Sequence, residues 1–396
     1  MVSADVDVAC VVCGAACGAP AYCHDGAMSV SSTARPIAAP TAVYVCTTCA
    51  HVQTPPVGDL GAYYDTAYNV HLESGDADDL YDVRDGVPVY RAQHQANVAL
   101  AKLTLPQGAA VLDYGCGKGM TLRALLAARP DLYGAVFDVS DAYREAWNAF
   151  VPADNQAAYT TPSAWDGRFD AVLSFFALEH VGDPRAFLAG IRRLLRLGGV
   201  VHLTVPNVRH NVGDFIVVDH VNHFMPTSLR RLFAETGFTD IRIDEESHDA
   251  AYVVNARRDS ADPRHASDRH LGDAQDVAGF VTEAQDYAAF WSAAGDAVRR
   301  FEVEHARGRP AAIYGSGFYG VFIASRLADR SNVCYFLDRN PHQQKKRIFG
   351  LPVVGPDALG DEIDVVYVGL NPARARDIAT AVTPLRRRAR TLFYLA

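Results

Sequence analysis

The sequence predicts an α/β protein: a doubly wound, Rossmann-like core, an N-terminal metal-binding module before it and a second small Rossmann-like unit after it. Three observations predict this. Residues 111–120, Val-Leu-Asp-Tyr-Gly-Cys-Gly-Lys-Gly-Met, combine an apolar run, one carboxylate and three alternating glycines, the pattern of a strand ending in a tight nucleotide-binding turn. Six of the eight cysteines fall within the first 49 residues. Residues 311–320, Ala-Ala-Ile-Tyr-Gly-Ser-Gly-Phe-Tyr-Gly, repeat the strand-and-glycine pattern near the other end.

The cysteines come first in the chain. Cys10-Val-Val-Cys13 and Cys46-Thr-Thr-Cys49 are two knuckles 32 residues apart, and each offers two thiolates from one tight turn. Four thiolates make a closed tetrahedral site, so structural zinc is expected rather than a catalytic ion with an open position. Cys17, Cys23, His24 and His51 lie close enough in sequence to compete as ligands. The module is predicted over 1–57. In residues 1–60 the only Lys or Arg is Arg35, set against Asp5, Asp7, Asp25 and Asp59, and the whole chain carries a net charge of −9, which excludes a surface built for a phosphate backbone. A role in shaping a substrate pocket or bracing the next domain remains.

Residues 58–88 read as a connector crossing the active site, with Tyr63, Tyr64 and Tyr68 ahead of an acidic stretch. Residues 89–105 space their apolar groups helically and enter the core, predicted over 89–258. Within it, 133–138 reads as a second strand ending in Asp138, placed where doubly wound sheets put a carboxylate for ribose hydroxyls, and 169–176 reads as a third. Residues 259–306 are a polar linker followed by one or two amphipathic helices from Val277 to His305. Residues 307–396 form the last unit, whose G-x-G-x-x-G and Asp338 match a dinucleotide pattern. That pattern serves either NAD or a degenerate domain helping to hold a nucleotide-linked substrate. No run of about 18 apolar residues occurs and the first residues lack a signal-peptide pattern, so a cytoplasmic protein without a membrane partner is expected.

The segments 111–120, Asp138, 169–181 with Leu178-Glu-His180, and 197–207 together resemble the class I S-adenosylmethionine-dependent methyltransferases. The layout of zinc knuckles, class I core and C-terminal Rossmann-like unit, with Asp219-His220-Val-Asn-His223-Phe224 and 335–341, resembles the deoxysugar C-methyltransferases, which act on nucleotide-linked keto sugars in antibiotic and polysaccharide pathways. In that family a Glu-His pair stands where Asp219-His220 stands here, its His is the base, and another His lies at the position of His180. Val217 stands near where the family has a tyrosine.

The resemblance implies S-adenosylmethionine as cofactor. Gly115 and Gly117 would give room to its methionine part, Asp138 would accept from its ribose, Asp113 would order the loop or contact the amino group, and Phe176 would pack beside it. Carbon methylation next to a ketone needs a base for the α-proton and donors for the enolate. His220 is expected as the base, with Asp219, His223 or Tyr64 orienting it or stabilising the oxyanion, and His180 as a second donor or acid. Methylation of oxygen or nitrogen on a sugar or related metabolite is the alternative, and a non-catalytic cofactor-binding scaffold a third.

Overall fold

A computed structural model of the chain describes residues 8–24, 28–56, 78, 80–84, 87–259, 274–387 and 389–395. The central sheet has seven strands in the spatial order Gln156–Ala158, Tyr133–Asp138, Ala110–Tyr114, Phe169–Phe175, Leu195–Pro206, Ala251–Arg257 and Thr239–Asp244. The first five are parallel, and Ala251–Arg257 is antiparallel to both its neighbours. Both Val111 and Leu112 are fully buried. A strand covered on both faces reads as a continuous apolar run instead of an alternation, which is why this one is visible in the sequence. The chain leaves Ala110–Tyr114 toward Tyr133 on one side and reaches Phe169 on the other, and such a reversal opens a crevice at the carboxyl ends of the strands. Gly115, Asp138 and Phe176 follow or end three adjacent strands there.

The entering helix spans Arg91–Lys102, shorter than the 89–105 expected. Residues Val87–Tyr90 instead pair antiparallel with Leu80–Arg84, since β-branched Val87 and Val89 on either side of Pro88 favour an extended backbone. Among the described residues, no helix is long and apolar enough to cross a membrane.

The N-terminal module is not closed on itself. Its antiparallel sheet runs Tyr22–His24, Thr41–Val45, Val52–Gln53, and its fourth strand, Asn222–His223, comes from the methyltransferase-like region. A parallel bridge joins Val30 to Val217, and Val218 donates its N–H to Val30 O at 3.0 Å. At the other end, a six-stranded sheet orders Arg347–Ile348, Leu351–Val354, Val333–Leu337, Ala311–Tyr314, Val365–Val368 and Thr391–Tyr394. One long helix, Ala274–Phe301, precedes it and ends in a π-helical turn, Glu302–Ala306. A single apolar cluster joins Tyr22 and Val43 of the N-terminal sheet, Phe215 and Ile216, Trp291 of the long helix, and Ile313 and Phe322 of the last unit. The segment around Phe215 is therefore packed from both ends of the chain.

Candidate active site

The glycine turn is built as its sequence requires. Gly115, Gly117 and Gly119 have φ of +74°, +51° and +70°, conformations that cost any residue with a Cβ, and a Cβ on Gly115 would lie 2.9 Å from that of Ala177. Gly117 anchors the turn: its N–H donates to Asp138 Oδ2 at 2.7 Å, and its carbonyl accepts from Trp147 Nε1 at 2.6 Å. The second Asp138 oxygen accepts from Ser140 N–H at 3.2 Å. Burial, reinforced by the charge of Asp138, pushes Asp113 up to about 7, and its Oδ1 has no hydrogen-bond partner. A buried carboxyl with a spare oxygen beside an open glycine turn suits an ammonium group, so these residues fit the amino-acid part of S-adenosylmethionine. Burial raises the Cys116 thiol well above its ordinary value, which disfavours the thiolate.

Phe176 sits at the next strand end with φ +52°, a strained backbone for a bulky residue. The Arg91 guanidinium lies 6.0 Å from its ring centroid and the His248 ring 5.5 Å away, edge-on. Tyr81 stacks on His94 at 3.8 Å, and His248 meets both rings edge-on. This aromatic wall is contributed by the Leu80–Tyr90 hairpin, the entering helix and the loop before Ala251, three segments whose meeting leaves no local pattern.

Two histidines converge on Asp214. His220 Nδ1 donates to Asp214 Oδ1 at 2.5 Å, and His223 Nδ1 lies 3.2 Å from Asp214 Oδ2. Asp214, in the 3₁₀ turn Val212–Ile216, is thus the residue that orients His220, whereas the Asp219 carboxylate accepts from the N–H and Oγ of Ser32, both at 2.7 Å. Burial works against an imidazolium at His220, but the Asp214 carboxylate outweighs it and holds His220 up to about 9. Burial likewise works against the Asp214 charge, yet the His220 imidazolium and both hydrogen bonds hold that carboxyl well below the usual range.

His180 is in the opposite state. Burial, with the neighbouring His220 charge, lowers it to about 4. Its Nδ1–H donates to Asp219 O at 2.9 Å, which fixes the tautomer carrying the lone pair on Nε2. The rings of His180 and His220 meet edge-on at 4.7 Å, and His180 is the more exposed of the two.

The N-terminal module braces this cluster. His51 Nε2 lies 3.1 Å from Asn222 Oδ1, Thr54 Oγ1 lies 3.2 Å from His223 Nε2, and Thr227 Oγ1 donates to Cys49 O at 3.0 Å. Cys10 and Cys49 Sγ are 3.7 Å apart and Cys13 and Cys46 Sγ 3.5 Å, near the roughly 3.8 Å edge of a tetrahedron of thiolates around zinc. The four sulfurs lie within 4.8 Å of one another, and the donor set fits the ion. Of the other sequence candidates, Cys23 is exposed and His51 is turned to Asn222.

The structure thus brings His180, His220, His223 and the Asp219 carbonyl together, and gathers Asp113, Gly115, Gly117, Asp138 and Phe176 at adjacent strand ends. Tyr64 lies outside the described residues. Sequence reasoning passed over Asp214, whose signal was its position six residues before His220, and gave Glu179 no role; the helix that follows does not use it as a cap. Asp183 fills that role, accepting from Ala186 N–H at 2.9 Å.

Residues 90–243 match a family model described as a methyltransferase domain. A ubiquinone biosynthesis O-methyltransferase of Cereibacter sphaeroides is 33% identical over 100 residues, 24% of this chain and 40% of that protein. The biotin biosynthesis bifunctional protein BioCD of Bordetella avium is 35% identical over 121 residues, 29% of this chain and 26% of that one. The chain therefore spans less than half the length of these relatives. Among solved structures, an S-adenosylmethionine-dependent methyltransferase from Mesorhizobium loti is similar with a TM-score of 0.35 at 16% identity, covering 42% of this chain and 98% of that one. With the sheet order, the glycine turn and the family match in agreement, residues 90–243 form a class I S-adenosylmethionine-dependent methyltransferase domain.

Proposed function

We propose that the protein methylates a carbon beside the carbonyl of a nucleotide-linked keto sugar, through an enolate. The observation that carries this reading is the pair of imidazoles in edge-on contact, His220 hydrogen-bonded to the buried Asp214 carboxylate and His180 to the Asp219 carbonyl, partners that favour the protonated ring at His220 and the neutral ring at His180. Environments that push two titratable groups apart separate a base from an acid. His180 Nε2 takes the α-proton, the C–H pair moves into the enolate, and His220 donates a hydrogen bond to its oxygen. This exchanges the roles expected for the two histidines from the resemblance. S-adenosylmethionine supplies an activated methyl on sulfur, and the proton held by His180 returns to solvent.

The names of the matched relatives favour a second reading, in which His180 deprotonates a hydroxyl for O-methylation. Deuterium exchange separates the two. With S-adenosylhomocysteine bound, a nucleoside-diphosphate 4-keto-6-deoxyhexose is expected to exchange its α-proton. No exchange, together with methylation of a hydroxyl acceptor, would replace the first reading with the second. His180→Ala is expected to lower turnover by about 10²–10⁴ while leaving S-adenosylhomocysteine affinity intact.

The four-cysteine cluster is read as a structural zinc site. Metal analysis is expected to find one zinc per chain, and removing it with a chelator should lower both the melting temperature and kcat, because Asn222–His223 is a strand of the same sheet. A chain that keeps its melting temperature after losing the metal would end that reading.

A further inference from the structure

We propose that the Glu179 carboxyl is a catalytic hydrogen-bond donor which, with His220, binds the substrate oxygen that becomes negative on deprotonation; this rests on the enolate reading above. The turn Leu178–His180 is pinned from outside. Asn222 Nδ2 donates to Leu178 O at 3.2 Å and Val181 O at 2.7 Å, so the side chains between them are held in place. Glu179 is 1% exposed, and its Oε2 has no hydrogen-bond partner. One oxygen of Glu179 and one ring nitrogen from each of His180 and His220 lie within 4.8 Å of one another. With the following helix capped by Asp183, no structural duty accounts for a carboxyl at this position.

Counting charge gives its form. The groups facing Glu179 are His180 on its own turn and His220, Asp214 and Asp219 on the loop opposite. Asp214 already answers the charge of His220 and binds His223 as well, and the Asp219 carboxylate is taken by Ser32. An ionised Glu179 would be a buried anion without a counter-charge of its own. Burial accordingly raises it to about 8, although the His220 charge pulls the other way. A neutral carboxylic acid beside two imidazoles is a donor, and a donor that stays protonated at neutral pH is suited to an oxyanion. The cluster then holds two donors and one acceptor. That set is made for enolisation: a hydroxyl nucleophile needs the acceptor, and two donors on its oxygen would blunt it. No proton leaves Glu179 in the reaction; its O–H remains on the carboxyl throughout.

Infrared difference spectroscopy of the protein alone, subtracting Glu179→Gln from wild type at pH 6, tests the protonation without any substrate. A protonated-carboxyl carbonyl band is expected, and its absence overturns the proposal. Kinetics with the nucleoside-diphosphate 4-keto-6-deoxyhexose test the role. Glu179→Ala should lose about 10²–10³ in kcat, the usual effect of removing one oxyanion donor. Glu179→Gln keeps an N–H donor and should stay within about tenfold of wild type, while the alkaline fall expected near pH 8 in wild type should move up toward about 9, where His220 loses its proton. Affinity for S-adenosylhomocysteine should be unchanged in both variants, which also reports that they fold. A Glu179→Ala enzyme within twofold of wild type, or an alkaline fall that stays near pH 8 in Glu179→Gln instead of moving up toward the limb set by His220, overturns the role. If wild type shows the infrared band but never exchanges the α-proton, the enolate reading has failed and the donor role falls with it, while the neutral carboxyl stands.

Discussion

The two glycine-rich strand-to-helix turns, 111–120 and 311–320, carry nearly the same motif and end in different uses. In the first, three glycines take positive φ, Asp113 keeps an unpartnered oxygen, and the acid of the next strand, Asp138, braces Gly117. In the second, Gly315 has φ +101° while Gly317 is extended, and Asp338 is taken up by the Ser316 N–H at 3.0 Å and Oγ at 2.5 Å. Gly320 and Gly369 serve close packing: a Cβ on Gly320 would lie 1.9 Å from Gly315 O, and one on Gly369 2.4 Å from Gly320 Cα. The residue two before the first glycine separates them, a buried carboxyl at Asp113 and a buried apolar side chain at Ile313. One turn leaves polar atoms for a ligand, and the other uses its glycines to let backbones meet.

The largest effect should come from Gly320→Ala, which drives a methyl group into backbone that cannot move aside. A stability loss of about 3 kcal/mol is expected in denaturant unfolding, the upper end of overpacking costs. If the second turn were an open nucleotide cradle with slack, the variant would unfold at the same denaturant concentration as wild type. Next in size, Asp113→Asn should weaken S-adenosylhomocysteine binding by about 10–100-fold in calorimetry, since a hydrogen bond to a charged amino group contributes about 1.5–3 kcal/mol. The penalty should grow as pH rises through about 7, where wild-type Asp113 gains its charge and the variant has none to gain. A flat pH response would remove Asp113 from the cofactor site.

What could be read in the sequence was what depends on neighbours in the chain. The cysteine knuckles and both glycine turns are fixed by spacing within a few residues, and the central strands by unbroken apolar runs. Asp214 escaped because its contact with His220 is made by a 3₁₀ turn whose shape is set from outside, with Phe318 packed where a Cβ of Gly213 would be, 3.0 Å away. Asn222–His223 escaped as well, since two residues can be recognised as a strand only when the sheet they complete is already present. The hairpin at 80–90 was hidden by an apolar spacing that suits a helix and continues into one.

The smallest predicted effect bears most directly on why the second unit is there. Tyr319, inside its glycine motif, donates its hydroxyl to Asn211 Oδ1 at 3.0 Å and stacks on Trp291 with ring centroids 6.1 Å apart, while Trp291 Nε1 donates to Val212 O at 2.8 Å. Both hydrogen bonds fall on or beside the turn that carries Asp214, and the stacking ties them to each other. If the unit serves to hold that turn, Tyr319→Phe keeps the stacking and loses one hydrogen bond. The expected cost is about 1 kcal/mol in stability and a few-fold drop in kcat, with an alkaline limb moved to lower pH as Asp214 loosens from His220. The sign follows from the pair itself: Asp214 is what keeps the proton on His220 up to about 9, so a weaker contact releases it sooner. If the motif instead grips the nucleotide of the substrate, the same substitution would raise KM and leave the pH profile where it was.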